Sequence, residues 1–316
     1  MKRTFMVVLA VLFYLGAGMA QTTQPLQSEI HGVIRRGSAP QLIKSGFQGL
    51  EGPVPTPDGG LFFSDVNQNR IYRLYGDGRI AVWRENTNGT NGLHLLKDGR
   101  LLCAEGKGHR IISITPDGAL TVLATGSGGR PLRQPNDLIP DRKGGIYFTD
   151  PAPRPAPNVA PTEPGNVHYI EPDGEVRLID DQIARPNGIT LSLDERTLYV
   201  DDTEGEYVYA FDVQPDGLAR NKRPFAKLLE PESGSHGLRS RADGMALDSE
   251  GRLYVATASG VQVIDPRGNH LGTIRVPVVA RNLAFGGTDR HVLYLTALDA
   301  LYRIRLLSRG PPDRPK

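Results

Sequence analysis

The sequence predicts an all-β fold: a six-bladed β-propeller of four-stranded blades, its ring closed by an N-terminal strand. Three observations predict it. One segment pattern recurs six times along the chain. The copies begin about 40 to 55 residues apart, the length of one four-stranded blade. Turn formers, 37 glycines and 25 prolines in 316 residues, are spread along the chain rather than clustered. No stretch sustains the helical period of about 3.6 residues, so few helices are expected.

Each repeat opens on a polar residue that leads into an apolar strand. The openings are Gly49-Leu50-Glu51-Gly52, Gly89-Thr90-Asn91-Gly92, Gln134-Pro135-Asn136-Asp137, Arg185-Pro186-Asn187-Gly188, Arg241-Ala242-Asp243-Gly244 and Ala280-Arg281-Asn282-Leu283. A second apolar run follows and ends in a small or acidic residue, as in Leu61 to Asp65 and Ile146 to Asp150. Third strands come next, several of them ending in turns such as Gly76-Asp77-Gly78 and Pro116-Asp117-Gly118. One blade cannot bury both its faces; six packed radially bury both faces of every sheet and leave short edges. After Asn282 only three strands remain, ending near Leu307. Gln41 to Ser45 stands before Glu51 as Val176 to Asp180 stands before Asn187, so it is expected to complete the last blade. Pro53, Pro55 and Pro57 make the innermost strand of blade one a poor ladder former.

The opening of the chain reads as an export signal. Lys2 and Arg3 precede a short apolar stretch, Phe5 to Leu15, and Gly18-Met19-Ala20 supplies small residues for cleavage. Residues 1–20 are therefore expected to be a signal peptide, 21–31 a polar leader, 32–309 the propeller and 310–316 a flexible tail. The mature protein is expected in the periplasm or the medium, free of the membrane. A net charge of +2 gives no field suited to nucleic acid. The lone Cys103 cannot form an internal disulfide and sits in an apolar run, as a small buried hydrophobe would.

The openings of the six repeats carry the functional reading. In a propeller, equivalent positions lie at equal radius around one axis. Glu51, Asn91, Asn136, Asn187, Asp243 and Asn282 are therefore expected to face a shared channel. Two carboxylates so placed repel each other unless compensated. A divalent cation balances them, and Asn carbonyl oxygens complete its shell. Hard oxygen ligands without His or Cys favour Ca²⁺, then Mg²⁺ or Mn²⁺, ahead of Zn²⁺.

Several of these segments together resemble the senescence marker protein/gluconolactonase/luciferin-regenerating enzyme family, from about residue 41 to 307. They are Gly49 to Pro53, Pro135 to Leu138 with Tyr147 to Pro151, Arg185 to Ile189, Ala242 to Asp248, and Asn282 to Gly287. The resemblance implies a six-bladed propeller whose cation is held by Glu51, Asn187 and Asp243, with Asn136 beside it. It also implies that Asp243 handles the proton of the attacking water. The nearest pattern is that of bacterial gluconolactonases. Pro151-Ala152-Pro153-Arg154-Pro155 stands where a Pro-Pro-Tyr-Gly-like stretch is expected, and Gln134 where some animal members carry a substrate-binding Arg.

The expected activity is hydrolysis of a small lactone or ester by water, assisted by Asp243 and a divalent cation. Asn136, Asn91 and Gln134 are expected to orient the substrate. His94, His109 and His236 are further candidates to donate to a substrate oxygen, and Arg130 and Arg133, in a Gly-rich loop before Asn136, are candidates to meet an anionic substrate. The loops Gly126 to Arg133, Pro151 to Pro164 and Glu232 to Arg241 are expected to frame the pocket. Two rival readings keep the cation: an organophosphate hydrolase of the diisopropyl-fluorophosphatase type, and a binding propeller without chemistry.

Overall fold

The computed structural model describes residues 27–153, 163–234 and 237–312. These form six four-stranded antiparallel sheets, and among the described residues there is no helix. Counted from the axis outward, the blades begin with Leu50–Pro55, Thr90–Leu95, Leu138–Pro140, Pro186–Leu191, Met245–Leu247 and Ala280–Gly286. Each sheet runs in chain order except the sixth, whose outermost strand is Gln41–Ser45, paired antiparallel to Ala300–Arg305. The expected closure by an N-terminal strand is what the structure has. The signal peptide expected over residues 1–20 lies outside the described residues.

Burial falls off with distance from the axis. Second strands such as Leu61–Asp65, Leu101–Glu105 and Ile146–Asp150 are buried at every position. Outermost strands such as Gln41–Ser45 and Leu120–Ala124 are largely exposed. The core consists of wedges between neighbouring blades. Ile139, Tyr147, Val167 and Tyr169 of blade 3 pack on Ile189, Leu191, Val200 and Phe211 of blade 4. This two-sided burial explains why the strands read as continuous apolar runs rather than alternating ones. Cys103 is buried in one such wedge, and burial raises its thiol pKa, as expected of an inert packing residue.

The prolines of the first inner strand are accommodated by a β-bulge. Its pairing jumps between Glu51 and Val54, and Pro53 falls within the jump. The strand is also innermost, so its free edge faces the channel, where a missing N–H costs no ladder bond.

The chain is packed from Gln27 onward, within the stretch read as a polar leader. Ile30, Val33 and Ile34 are at most 4% exposed and wedge against Val261, Ile274, Leu293 and Leu306 of the last two blades. Gln27 accepts the N–H of Arg275 at 2.8 Å. At the other end Gly310 and Pro311 are buried. Replacing a fully buried Ile by Ala typically costs about 2–5 kcal/mol. Ile34→Ala should therefore lower the unfolding free energy by that much, seen as a lower denaturant midpoint with the m-value unchanged; a loss below about 1 kcal/mol would show that this segment is not part of the cooperative core.

Candidate functional site

The inner strands meet so closely at the axis that in four repeats the residue after the ring position, Gly52, Gly92, Gly188 or Gly244, has no room for a side chain. A Cβ on Gly188 would lie 2.1 Å from the carbonyl oxygen of Asp243, and one on Gly244 would lie 1.9 Å from Asn282 Oδ1. Asn91-Gly92 and Asn187-Gly188 lie inside strands, not turns. The glycines are there for close approach, and the approach is used. The N–H of Gly92 donates to the Asn136 carbonyl at 2.7 Å, and that of Gly244 to the Arg281 carbonyl at 2.8 Å. Hydroxyls continue the belt: Ser64 donates to the Asn91 carbonyl and Thr149 to the Asn187 carbonyl, both at 2.7 Å.

A second device sets the height of each ring residue. The acid ending a blade's second strand accepts backbone N–H groups from the segment entering the first. Asp65 holds Gln48, Asp150 holds Arg133 and Gln134, and Asp202 holds Arg185, all at 2.6–3.0 Å. These buried acids are scaffold, which is why the repeated strand ending is so often acidic.

Five members of the predicted ring open into one cavity of about 310 Å³: Glu51, Asn91, Asn136, Asn187 and Asp243. Gln134 lines it as well. Asn282 sits beneath, 1% exposed, its amide donating to Glu51 Oε2 at 3.4 Å. Burial, then the charge of Asp243, pushes the Glu51 carboxyl well above the usual carboxylate range, with Arg281 pulling the other way. Below the ring lie Asp137 and Asp201, both fully buried. Asp201 Oδ1 accepts the Gly188 N–H at 3.0 Å. Burial and the Asp243 charge hold the Asp201 carboxyl well above its ordinary value.

The amide of Asn187 is oriented by a residue that the sequence did not single out. The Thr203 hydroxyl donates to the Ala242 carbonyl at 2.8 Å and accepts from Asn187 Nδ2 at 3.0 Å. With its nitrogen committed, Asn187 has its carbonyl oxygen left for a ligand.

The donor set fits a hard divalent cation. The carboxylate residues Glu51 and Asp243 and the amide residues Asn187, Asn136 and Asn91 line the cavity together. Asn91 Oδ1 and Gln134 Oε1 are buried with no hydrogen-bond donor among the described residues. Buried carbonyl oxygens without donors call for a positive partner. Among the described residues no three His, Cys, Asp or Glu side chains cluster as a metal site; this ring relies on amides where such clusters have acids.

Other predicted residues lie elsewhere. His94 does not reach this cavity. It is buried on the same strand as Asn91 but lines a larger hollow, about 770 Å³, with Lys97, Arg100 and Arg142 at the opposite mouth. Three residues at about 3.3 Å each carry it roughly 10 Å along the channel. His236 lies outside the described residues. His109 bonds through Nδ1 to the Arg133 carbonyl. Arg133 is tied to the Pro164 carbonyl at 2.7 Å and to Glu163 at 3.1 Å, and with Arg130 lines a separate hollow. Three cations that the sequence reading left out line the cavity instead: Lys107, Arg185 and Arg281.

Comparison with known proteins gives a consistent picture. The model of a family described as "SMP-30/Gluconolactonase/LRE-like region" matches residues 50–299. A gluconolactonase of Zymomonas mobilis is 27% identical over 294 residues, covering 85% of this chain and 82% of its own. A regucalcin of Oryctolagus cuniculus is 30% identical over 253 residues, covering 78% of this chain and 82% of its own. The solved structure of a gluconolactonase from Xanthomonas campestris superimposes with a TM-score of 0.77 at 27% identity, covering 90% of this chain and 96% of that one.

Two outcomes test the site. Thr203→Val keeps the shape and frees the Asn187 amide, so divalent-cation affinity by calorimetry should fall about 10- to 100-fold; unchanged affinity would deny Thr203 its orienting part. Asp201 carries a raised folded-state pKa, so its contribution is present at low pH and turns unfavourable as pH rises through that value. In chelator-treated protein, Asp201→Asn should therefore raise the Tm more at about pH 8 than at about pH 5. Equal shifts at both would contradict this.

Proposed function

The chain belongs to the SMP-30/gluconolactonase/LRE-like family, and from that membership and this cavity we propose that it is a lactonase, a hydrolase that opens a small cyclic ester with water. The observation that carries the reading is the convergence of Glu51, Asn136, Asn187 and Asp243 on one cavity lined by further amides. The gluconolactonase relative supports the reaction class. The regucalcin relatives support a divalent cation; Glu51, Asn187 and Asp243 would hold it, with Asn136 beside them. When bound, such an ion supplies Lewis-acid polarisation of an ester carbonyl.

The chain's own residues do the rest. Asn136, Asn91 and Gln134 offer amide groups that fix the lactone by hydrogen bonds. Asp243 takes a proton from the water that adds to the carbonyl carbon. The ring C–O bond then breaks, and the same carboxyl returns its proton to the leaving alkoxide, giving a hydroxy acid. Such general-base assistance is typically worth about 10²- to 10⁴-fold. Asp243 is suited to it because it is partly exposed and so within reach of water, whereas Glu51 is buried and bonded to Asn282. Calcium is the ion we assign, because every donor at the ring is oxygen.

Asp243→Asn keeps a carbonyl ligand and removes the base. At saturating calcium its kcat on a simple lactone should fall about 10²- to 10⁴-fold with the Tm little changed. Chelation should abolish turnover, and calcium should restore it. Full activity in the chelated enzyme, or in Asp243→Asn, would refute the proposal.

A further inference from the structure

The cavity wall carries more positive charge than a neutral sugar lactone needs. Lys107, Arg185 and Arg281 line it, against the carboxylates of Glu51 and Asp243. In the reading above, those two charges are balanced by the divalent cation they hold. Even with Asp137 and Asp201 below counted as ionised, positive charge then exceeds negative. Arg281 comes from the inner strand of blade 6, directly before the buried Asn282, so its backbone is fixed by the ring itself. Its Nη1 is 4.0 Å from Asp243 Oδ2, the outer limit of an ion pair, and its side chain is 34% exposed. Arg185 is anchored through Nη1 to the Ala152 carbonyl at 2.9 Å, which sets its guanidinium in the wall. Lys107 stands exposed on the loop after Glu105. Hydroxyl groups are served by the amides already present; a guanidinium fork matches a carboxylate.

We propose that the preferred substrates are lactones that bear a free carboxylate, seated against Arg281 with Lys107 and Arg185 flanking it. This rests on the lactonase reading and names its substrate class. The carboxylate is not a reacting group; it orients the ring so that the ester carbonyl faces Asp243. The rival role for Arg281, a counter-charge for the acidic ring alone, would alter calcium affinity without discriminating substrates.

The test compares γ-butyrolactone γ-carboxylate with its primary carboxamide, equal in shape and differing in charge, on the calcium-loaded protein. The wild type should favour the acid over the amide in kcat/KM by about tenfold or more, the ordinary worth of a hydrogen bond to a charged group. In Arg281→Gln that ratio should collapse toward one, and added salt should lower it in the wild type. A wild-type ratio near one, or a ratio unchanged in Arg281→Gln, overturns the inference. Should neither compound be hydrolysed, calorimetry with the ring-opened product, α-hydroxyglutarate, decides this inference separately from the lactonase reading. Binding that weakens about tenfold in Arg281→Gln supports carboxylate recognition; equal binding, or none in either protein, overturns it.

Discussion

Six inner strands converge on one axis, and their closeness governs everything else in the molecule. At Gly188 and Gly244 the neighbouring blade leaves no space for even a methyl group. Backbone N–H groups and hydroxyls of one blade therefore bond directly to carbonyls of the next. The residue before each such contact cannot turn aside. Its side chain is delivered to the channel, and the chemistry of the channel follows from which side chains the six repeats deliver. With Glu51 and Asp243 among them, the axis accumulates negative charge in a place from which water is largely excluded. Burial raises Glu51 and Asp201 together, and the charge of Asp243 adds to both.

Acidic residues here divide by environment rather than by type. Asp65, Asp150 and Asp202 are buried, yet each spends its oxygens on backbone N–H groups of the incoming strand. Such acids fix geometry and have little left for a ligand. Glu51 and Asp243 face a cavity. The distinction is one of hydrogen-bond accounting. The same accounting gives Thr203 its part: one hydroxyl both donates and accepts, and so decides which end of the Asn187 amide faces the axis.

Much of this was legible in the sequence because the repeat is strict. The spacing of the six openings gives the number of blades, and the missing fourth strand after Ala300–Arg305 gives the closure by Gln41–Ser45. The aligned polar residues give the ring, with Asn282 alone sinking beneath the cavity to bond Glu51. What was not legible depends on distances between loops of different blades. Lys107 and Arg185 reach the cavity from a loop and a strand entrance whose sequences look like solvated surface. Arg281 precedes a ring residue, but nothing in its neighbours marks it as facing inward. His94 was placed by nearness in sequence to Asn91, whereas a strand carries a side chain steadily away from the mouth. Residues 27–31 were read by their polarity, yet the segment is held by Ile30, Val33 and Ile34, three side chains too few to form a periodic signal.

The most direct measurement is diffraction from crystals grown with calcium, with the ion located by its anomalous signal. The account predicts one ion on the axis, about 2.3–2.6 Å from oxygens of Glu51, Asn187 and Asp243. An ion bound at the opposite mouth, or none at saturating calcium, would contradict it.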